Sequence, residues 1–351
     1  MTLFYDDGLA VRQSDLAACS AILRAGSRSF YVAARMLPRS IREPAVVLYA
    51  FCRLADDIID QAGRGMSGVN ELRRRLAGAY EGHPIGGAVD RALSAVLRSR
   101  RIPSALPEAL LEGFEWDACG RRYRSLADLE SYAARVAGSV GAMMCLVMGV
   151  RDHATLARAC DLGVAMQLTN IARDIGEDAR AGRIYLPLEW LAEFGIDPDV
   201  WLEIPRFDPA IGQLVARLLC RADELYLRAD DGIHALPSRC RAGIMAARLI
   251  YSEIGREVVR HRLDSISARA VVPAQRKLWL GMRSLAALGR SHRRPTGAPI
   301  DANAFLVAAV PIDPAWRARA AARSPLSDRI GATLDLFARL EARDQAGVGQ
   351  G

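Results

Sequence analysis

Apolar residues in this sequence recur three and four positions apart rather than alternately, and the residues between them are mostly Ala, Leu, Arg and Glu. That is the period of a helix with one buried face, and it does not suit a half-buried strand. An all-α fold follows. A first helix is expected from Ser14, and a second opened by Pro44 as a first-turn proline, running through VVLYAFCRLADDIIDQ to the glycines at 63 and 65. Further helices are expected over 69–81, 88–99, 106–118, 126–149, 152–179, 208–231, 237–267 and 273–289, with another near 326–343. The one strongly linker-like stretch is 291–302, SHRRPTGAPIDA. The expected organisation is therefore a single large helical domain, residues 1–290, followed by a loosely attached peripheral segment, 291–351. No internal repeat is seen.

Composition narrows the classes. With 351 residues, 51% hydrophobic and 25% charged, the chain can bury enough surface to order itself, so disorder and rod-like folds are excluded. The longest stretch without a charge, residues 136–150, is fifteen residues long and holds three glycines and a serine. A bilayer span needs roughly 18 or more apolar residues, so no transmembrane helix is expected. The opening MTLFYDDGLAVRQ is acidic before it is basic and has no long apolar core; it does not read as a secretory signal, and a cytoplasmic location is expected. Seven cysteines without a CxxC pair suit reduced core thiols better than a disulfide framework or a zinc site.

The net charge of +7 comes from 46 Arg and a single Lys, Lys277, and favours an anionic partner. Nucleic acid is not expected, because blocks such as Arg73 to Arg75 sit in acid-flanked helical sequence without interleaved aromatics. Gly63-Arg-Gly-Met-Ser-Gly68 spells G-x-G-x-x-G but follows an amphipathic helix instead of a strand. It reads as a turn between helices, not a nicotinamide site.

Two acidic constellations carry the chemistry. In Asp56-Asp57-Ile-Ile-Asp60, residues four apart lie only about 40° apart around a helix and about 6 Å along it, so Asp56 and Asp60 share a face with Arg53 and Tyr49. Like charges at that spacing oppose each other, and the flanks LYAFCRLA and II are too apolar for a merely solvated face. A cation should bind there. The second is Gln167-Leu-Thr-Asn170-Ile-Ala-Arg-Asp174-Ile-Gly-Glu-Asp178, where Asn170, Asp174 and Asp178 form one stripe of oxygens over two turns. Oxygen donors without His or Cys favour a hard ion, Mg²⁺ before Ca²⁺, with one or two carboxylates per ion and water and phosphate completing the shell. Two such stripes on facing helices would clamp a diphosphate.

These residues also carry a resemblance. Gly26-Ser-Arg-Ser-Phe30, Leu37-Pro38 and Leu48-Tyr-Ala-Phe-Cys-Arg-Leu-Ala-Asp-Asp-Ile-Ile-Asp60 closely resemble the opening of the squalene and phytoene synthase family. So do the run from Tyr132 to Gly141, YAARVAGSVG, and the run from Met166 to Pro187, MQLTNIARDIGEDARAGRIYLP. The likeness covers roughly residues 14 to 290, and the last motif, with Trp190-Leu191 following, is similar to the bacterial phytoene-forming branch.

The resemblance implies a single-domain isoprenoid-synthase helical bundle with a central cavity, and a prenyltransferase of carotenoid biosynthesis. Two geranylgeranyl diphosphates would condense head to head through prephytoene diphosphate to 15-cis-phytoene. The alternative is a dehydrosqualene or presqualene diphosphate synthase using two C15 chains. Asp56, Asp60, Asn170, Asp174 and Asp178 match metal-holding positions, for Mg²⁺ with Mn²⁺ as substitute, and no NADPH is implied. Gly26, Ser27, Arg28, Ser29, Tyr49, Arg53, Gln167, Arg173 and Tyr251 match positions that contact diphosphate or prenyl chain. Tyr132 matches a tyrosine implicated in proton handling, with Ala133 where a cysteine often stands. Peripheral contact with the inner face of the cell membrane, and with a downstream desaturase, is a further expectation.

Overall fold

The computed structural model describes residues 11–60, 65–285 and 295–312, without the side chains of Arg28, Ser29, Val32 and Asp60. Among these residues there are helices and no strand. In chain order they are α1 (Gln13–Gly26), α2 (Arg28–Arg35), α3 (Arg39–Asp60), α4 (Gly65–Glu81), α5 (Ala88–Ser99), α6 (Ala105–Ala118) and α7 (Leu126–Ala133). After a π-helical turn (Ala134–Gly138) come α8 (Ser139–Val147), α9 (His153–Arg180), α10 (Leu188–Glu193), α11 (Pro198–Glu203), α12 (Pro209–Ala235), α13 (Ser238–Arg260), α14 (Ala274–Ser284) and α15 (Asp301–Ala308). The 28 residues of α9 make it about 42 Å long. Its flanks pack on α12, α13, α8 and α15, so most of what surrounds the centre is referred to this one helix.

Small residues let the backbones come together. A side-chain carbon on Gly163 of α9 would stand 2.3 Å from the Ala137 carbonyl, and one on Gly141 of α8 only 2.2 Å from that of Ala159. Neither distance is compatible with any larger residue. The uncharged stretch 136–150 thus presses part of its surface directly on α9, while Val136, Val140, Met144 and Met148, each four residues apart, face a central cavity. Wall and packing surface are two faces of one segment.

The sequence-based expectations differ from the structure in several places. Pro44 does not open its helix; α3 starts at Arg39 and carries the proline in its interior. Proline has no N–H to give the carbonyl four residues back. That carbonyl, Ser40 O, is served by Arg100 Nη2 at 2.6 Å, from the C-terminal end of α5. The expected helix 126–149 is broken into α7, the π turn and α8. The expected helix 237–267 stops at Arg260, because Arg262 and Leu263 turn left-handed (φ 55° and 63°) and Asp264 then accepts from the N–H groups of Ile266 and Ser267.

Residues 295–312, expected as linker and the start of a peripheral segment, are packed. Asn303, Leu306, Val307 and Val310 of and after α15 are buried, and His153 Nε2 lies 2.9 Å from the Val310 carbonyl. The expected helix near 326–343 lies outside the described residues, as do Gly63 and Arg64 of the glycine-rich turn. All seven cysteines are free, and Cys19, Cys145, Cys160 and Cys240 are buried. Among the described residues no helix is long and apolar enough to cross a membrane.

Candidate active site

The bundle encloses a cavity of about 580 Å³, within the range of small-molecule sites. Its walls come from α2, α3, α6, α7, the π turn, α8, α9, α12 and α13. Along α9 the lining runs from Thr155 to Asp178, some 35 Å at the helical rise. The polar residues gather at the Asp178 end.

There α9 contributes Gln167, Asn170, Arg173, Asp174 and Asp178, and α3 contributes Tyr49, Arg53 and Asp56; Tyr132 of α7 and Tyr251 of α13 also line the space. Asp56 of the α3 stripe and all three members of the α9 stripe therefore open on the same chamber. Gly26 closes α1, and a side-chain carbon on it would stand 2.5 Å from the Tyr49 hydroxyl, so it reaches the cavity through Tyr49. Ser27 caps α2 by accepting from Phe30 N–H at 3.2 Å, and the Phe30 ring packs 5.8 Å from Tyr49 and 5.4 Å from Tyr251. The side chains of Arg28, Ser29 and Asp60 lie outside the described residues.

Charge at this end is unevenly matched. Arg53 pairs with Asp56 at 3.3 Å and Asp57 at 2.7 Å, all three about half exposed. Asp174 is held by Arg173 and, from the loop after α13, by Arg269 at 2.8 and 3.1 Å. Burial pushes its carboxyl up, but the two guanidinium groups outweigh this and hold it below the ordinary value. Among the described residues Asp178 pairs only with Arg183, at 3.9 Å. Burial, together with the carboxylates of Asp174, Asp117 and Glu177 and against Arg183, pushes it up to about 7.

A second cluster adjoins it. Asp117 of α6 accepts from the hydroxyls of Tyr132 (2.7 Å) and Tyr185 (2.8 Å). Burial raises its carboxyl to about 6 despite those two hydrogen bonds. The rings of Tyr132 and Tyr185 stack at 5.3 Å. Tyr132 is almost wholly buried, and burial, reinforced by Asp117, holds its proton well above the usual phenol range. The π turn begins two residues later, where helices commonly relax their hydrogen bonding beside functional groups.

The donor set fits magnesium. Asn170 Oδ1 is buried without a hydrogen-bond partner among the described residues, and the Asp178 carboxyl is raised by burial and further by neighbouring carboxylates, a repulsion that a cation would relieve. Among the described residues no three His, Cys, Asp or Glu side chains converge tightly enough to enclose an ion alone.

Residues 23–276 match the squalene/phytoene synthase family. This chain belongs to that family. Its relatives include a phytoene synthase of Rhodobacter capsulatus, 51% identical over 273 residues, 77% of this chain and 80% of that one. A phytoene synthase of Cereibacter sphaeroides is 46% identical over 347 residues, 95% of this chain and 96% of the relative. Among solved structures, a dehydrosqualene synthase in complex with ligand is 33% identical and superposes with a TM-score of 0.72, covering 79% of this chain and 97% of its own. The all-α fold and the family read from the motifs are those found.

For a squalene/phytoene synthase the one departure noted in sequence, Ala133, is fully buried next to Tyr132, so it alters packing behind the tyrosine and none of the oxygen donors. Sequence reasoning passed over Asp117, Arg183, Tyr185 and Arg269. Arg183 and Tyr185 lie inside the motif ending at Pro187 and could have been taken from it. Asp117 and Arg269 belong to no motif and no spacing. Arg269 reaches Asp174 because the loop before it lies on Gly176, whose N–H donates to Ser265 O at 3.1 Å.

Proposed function

We propose that this chain is a Mg²⁺-dependent 15-cis-phytoene synthase, joining two geranylgeranyl diphosphates head to head with release of two diphosphates and no nicotinamide. The observation that carries the reading is the meeting of Asp56 of α3 with the α9 oxygen stripe at one end of a largely apolar chamber, in a chain about half identical to phytoene synthases. Asp56, Asp60, Asn170, Asp174 and Asp178 would hold magnesium, which would supply charge neutralisation for the departing diphosphate. Arg53 and Arg173 offer planar donor forks to the same oxygens, which gain charge as the C–O bond breaks.

The electron pair leaves with diphosphate and an allylic cation forms. Attack by the double bond of the second chain, with loss of a proton, gives the cyclopropylcarbinyl prephytoene diphosphate. A second ionisation, rearrangement and proton loss give phytoene. The apolar walls from Val136, Val140 and Met144 exclude water that would quench each cation, and the rings of Phe30, Tyr49 and Tyr251 offer their faces to positive charge. Tyr132 Oη, donating to Asp117, is positioned to take a proton while passing its own to that carboxylate.

A C40 hydrocarbon is far more soluble in lipid than in water. Peripheral, reversible contact with an anionic membrane, or handover to a desaturating enzyme there, belongs to the same reading. On α14 the exposed side chains of Trp279 and Met282 support it, with Arg276 and Arg283 flanking the indole at 4.5 and 5.5 Å.

The purified protein is incubated with C15 and C20 diphosphates, with and without Mg²⁺, NADPH and anionic or neutral vesicles, and the hydrocarbon is identified. Phytoene from the C20 substrate, absent in chelator, indifferent to NADPH and released faster to anionic vesicles at low salt, is expected. Preferential use of the C15 substrate, or full turnover in chelator, overturns the reading.

A further inference from the structure

The end of the cavity away from the carboxylates is closed by an unexpected residue. Arg158 of α9 lines the apolar wall there together with Ala159, Leu162 and Thr155, sixteen residues and about 24 Å of helix from Asp174. Its side chain is only 4% exposed. The methylene stem lies on the backbone of α12: a side-chain carbon on Gly232 would stand 2.3 Å from Arg158 Cβ and 3.0 Å from Cγ. The guanidinium turns out of the cavity, donating to the Ala298 carbonyl at 2.8 Å and the Thr296 carbonyl at 3.5 Å, with Asp161 at 3.2 Å.

The group that anchors it is itself fully engaged. Asp161, without exposed surface, also accepts from Arg228 Nε at 2.9 Å and from Asn303 Nδ2 at 3.0 Å. Arg228 Nη2 donates to Ala298 O at 2.9 Å. The strap 296–303 is thus pinned across α9 and α12, and it holds the head of the arginine while the stem stays at the cavity. A long charged side chain can present its methylenes to an apolar space while its head sits among polar groups. Here the head is immobilised, so the stem is a wall that an incoming chain cannot push aside without breaking three polar contacts.

We infer that Arg158 is a length gauge: its stem, clamped between Gly232 and the strap 296–303, closes the prenyl tunnel and sets the longest chain that fits. The inference rests on the prenyl diphosphate reading above. A chain longer by one isoprene unit would meet the stem, whereas a shorter one would leave apolar space unfilled, and apolar pockets discriminate such differences by tens-fold rather than absolutely.

Two variants of the full chain separate volume from charge. Arg158→Ala and Arg158→Met both remove the guanidinium and its contacts to Asp161 and the strap, but only alanine removes the stem. With C15, C20 and C25 diphosphates in competition, Arg158→Ala is expected to raise the C25-to-C20 ratio of hydrocarbon product about tenfold or more. Arg158→Met, which keeps the stem but loses its anchor, is expected to raise the ratio by clearly less than Arg158→Ala. Equal shifts in the two variants, or a shift in neither, overturn the inference and make Arg158 a structural ion-pair partner. Should the alanine variant not fold, Ala159→Phe fills the same end and is expected to move the ratio about tenfold toward C15; an unchanged ratio is equally fatal. A wild-type protein that consumes none of the three diphosphates defeats the substrate reading itself, while an active wild type with unresponsive variants defeats the gauge alone.

Discussion

The two ends of the cavity are both built from arginines and aspartates on α9, and they are finished differently. At the far end Asp161 is surrounded by Arg158, Arg228 and Asn303, and every carboxylate oxygen is used. At the near end, among the described residues, Asp178 has one distant arginine, Asn170 Oδ1 has no hydrogen-bond partner, and burial raises the Asp178 carboxyl to about 7. Buried polar groups in folded proteins are ordinarily satisfied. A carboxylate with both oxygens engaged holds elements together; one with a single distant partner is held in place by the rest of the fold and left ready for a ligand.

The comparison breaks first at Asp161. Asp161→Ala leaves Arg158 and Arg228 without their carboxylate, and removing one partner of a buried pair costs about 3–5 kcal/mol. Denaturant unfolding should show a loss of that size. If stability is unchanged, the far cluster is not a clamp.

Asp178→Asn should behave in the opposite sense. The amide removes a negative charge that its neighbours and its burial disfavour, so the unfolding midpoint should hold or rise, while turnover falls by about a hundredfold or more through loss of transition-state charge stabilisation. A variant that loses stability and activity together would place Asp178 among the structural acids.

The smallest effect is expected at a third, satisfied carboxylate. Glu253 of α13 has no exposed side-chain surface. Burial alone would raise it, but hydrogen bonds from Arg276, Arg256 and Arg260 outweigh this and hold it down to about 2, against 4.5 when free. Its folded pKa is the lower one, so its contribution is complete above about 4.5 and is lost as pH falls toward 2. Glu253→Gln should flatten the acid limb of the stability curve between those values. An unaltered limb in the variant would remove Glu253 from the acid response.

Local spacing told most where one helix supplies the whole feature. Asn170, Asp174 and Asp178 share a face of α9 because 3.6 residues make a turn, and no neighbour is needed to know it. The same holds for Tyr49, Arg53 and Asp56 on α3, and for the small residues of 136–150. Helix boundaries were less legible, since they depend on partners outside the segment. Pro44 is tolerated inside α3 because Arg100, far along the chain, serves the freed carbonyl.

What the sequence by itself determined is the helical class, the family and the two oxygen stripes, all of which follow from residue type and short-range period. The tertiary structure alone decided that the stripes face one chamber, that Asp117 and Tyr185 join Tyr132, that Arg269 reaches Asp174, and that residues 295–312 strap the far end through Arg158. Each of those unites groups dozens of residues apart. Their meeting is set by how apolar faces pack and which backbones can approach closely, as at Gly141, Gly163 and Gly232, and a one-dimensional period contains no term for such long-range fit.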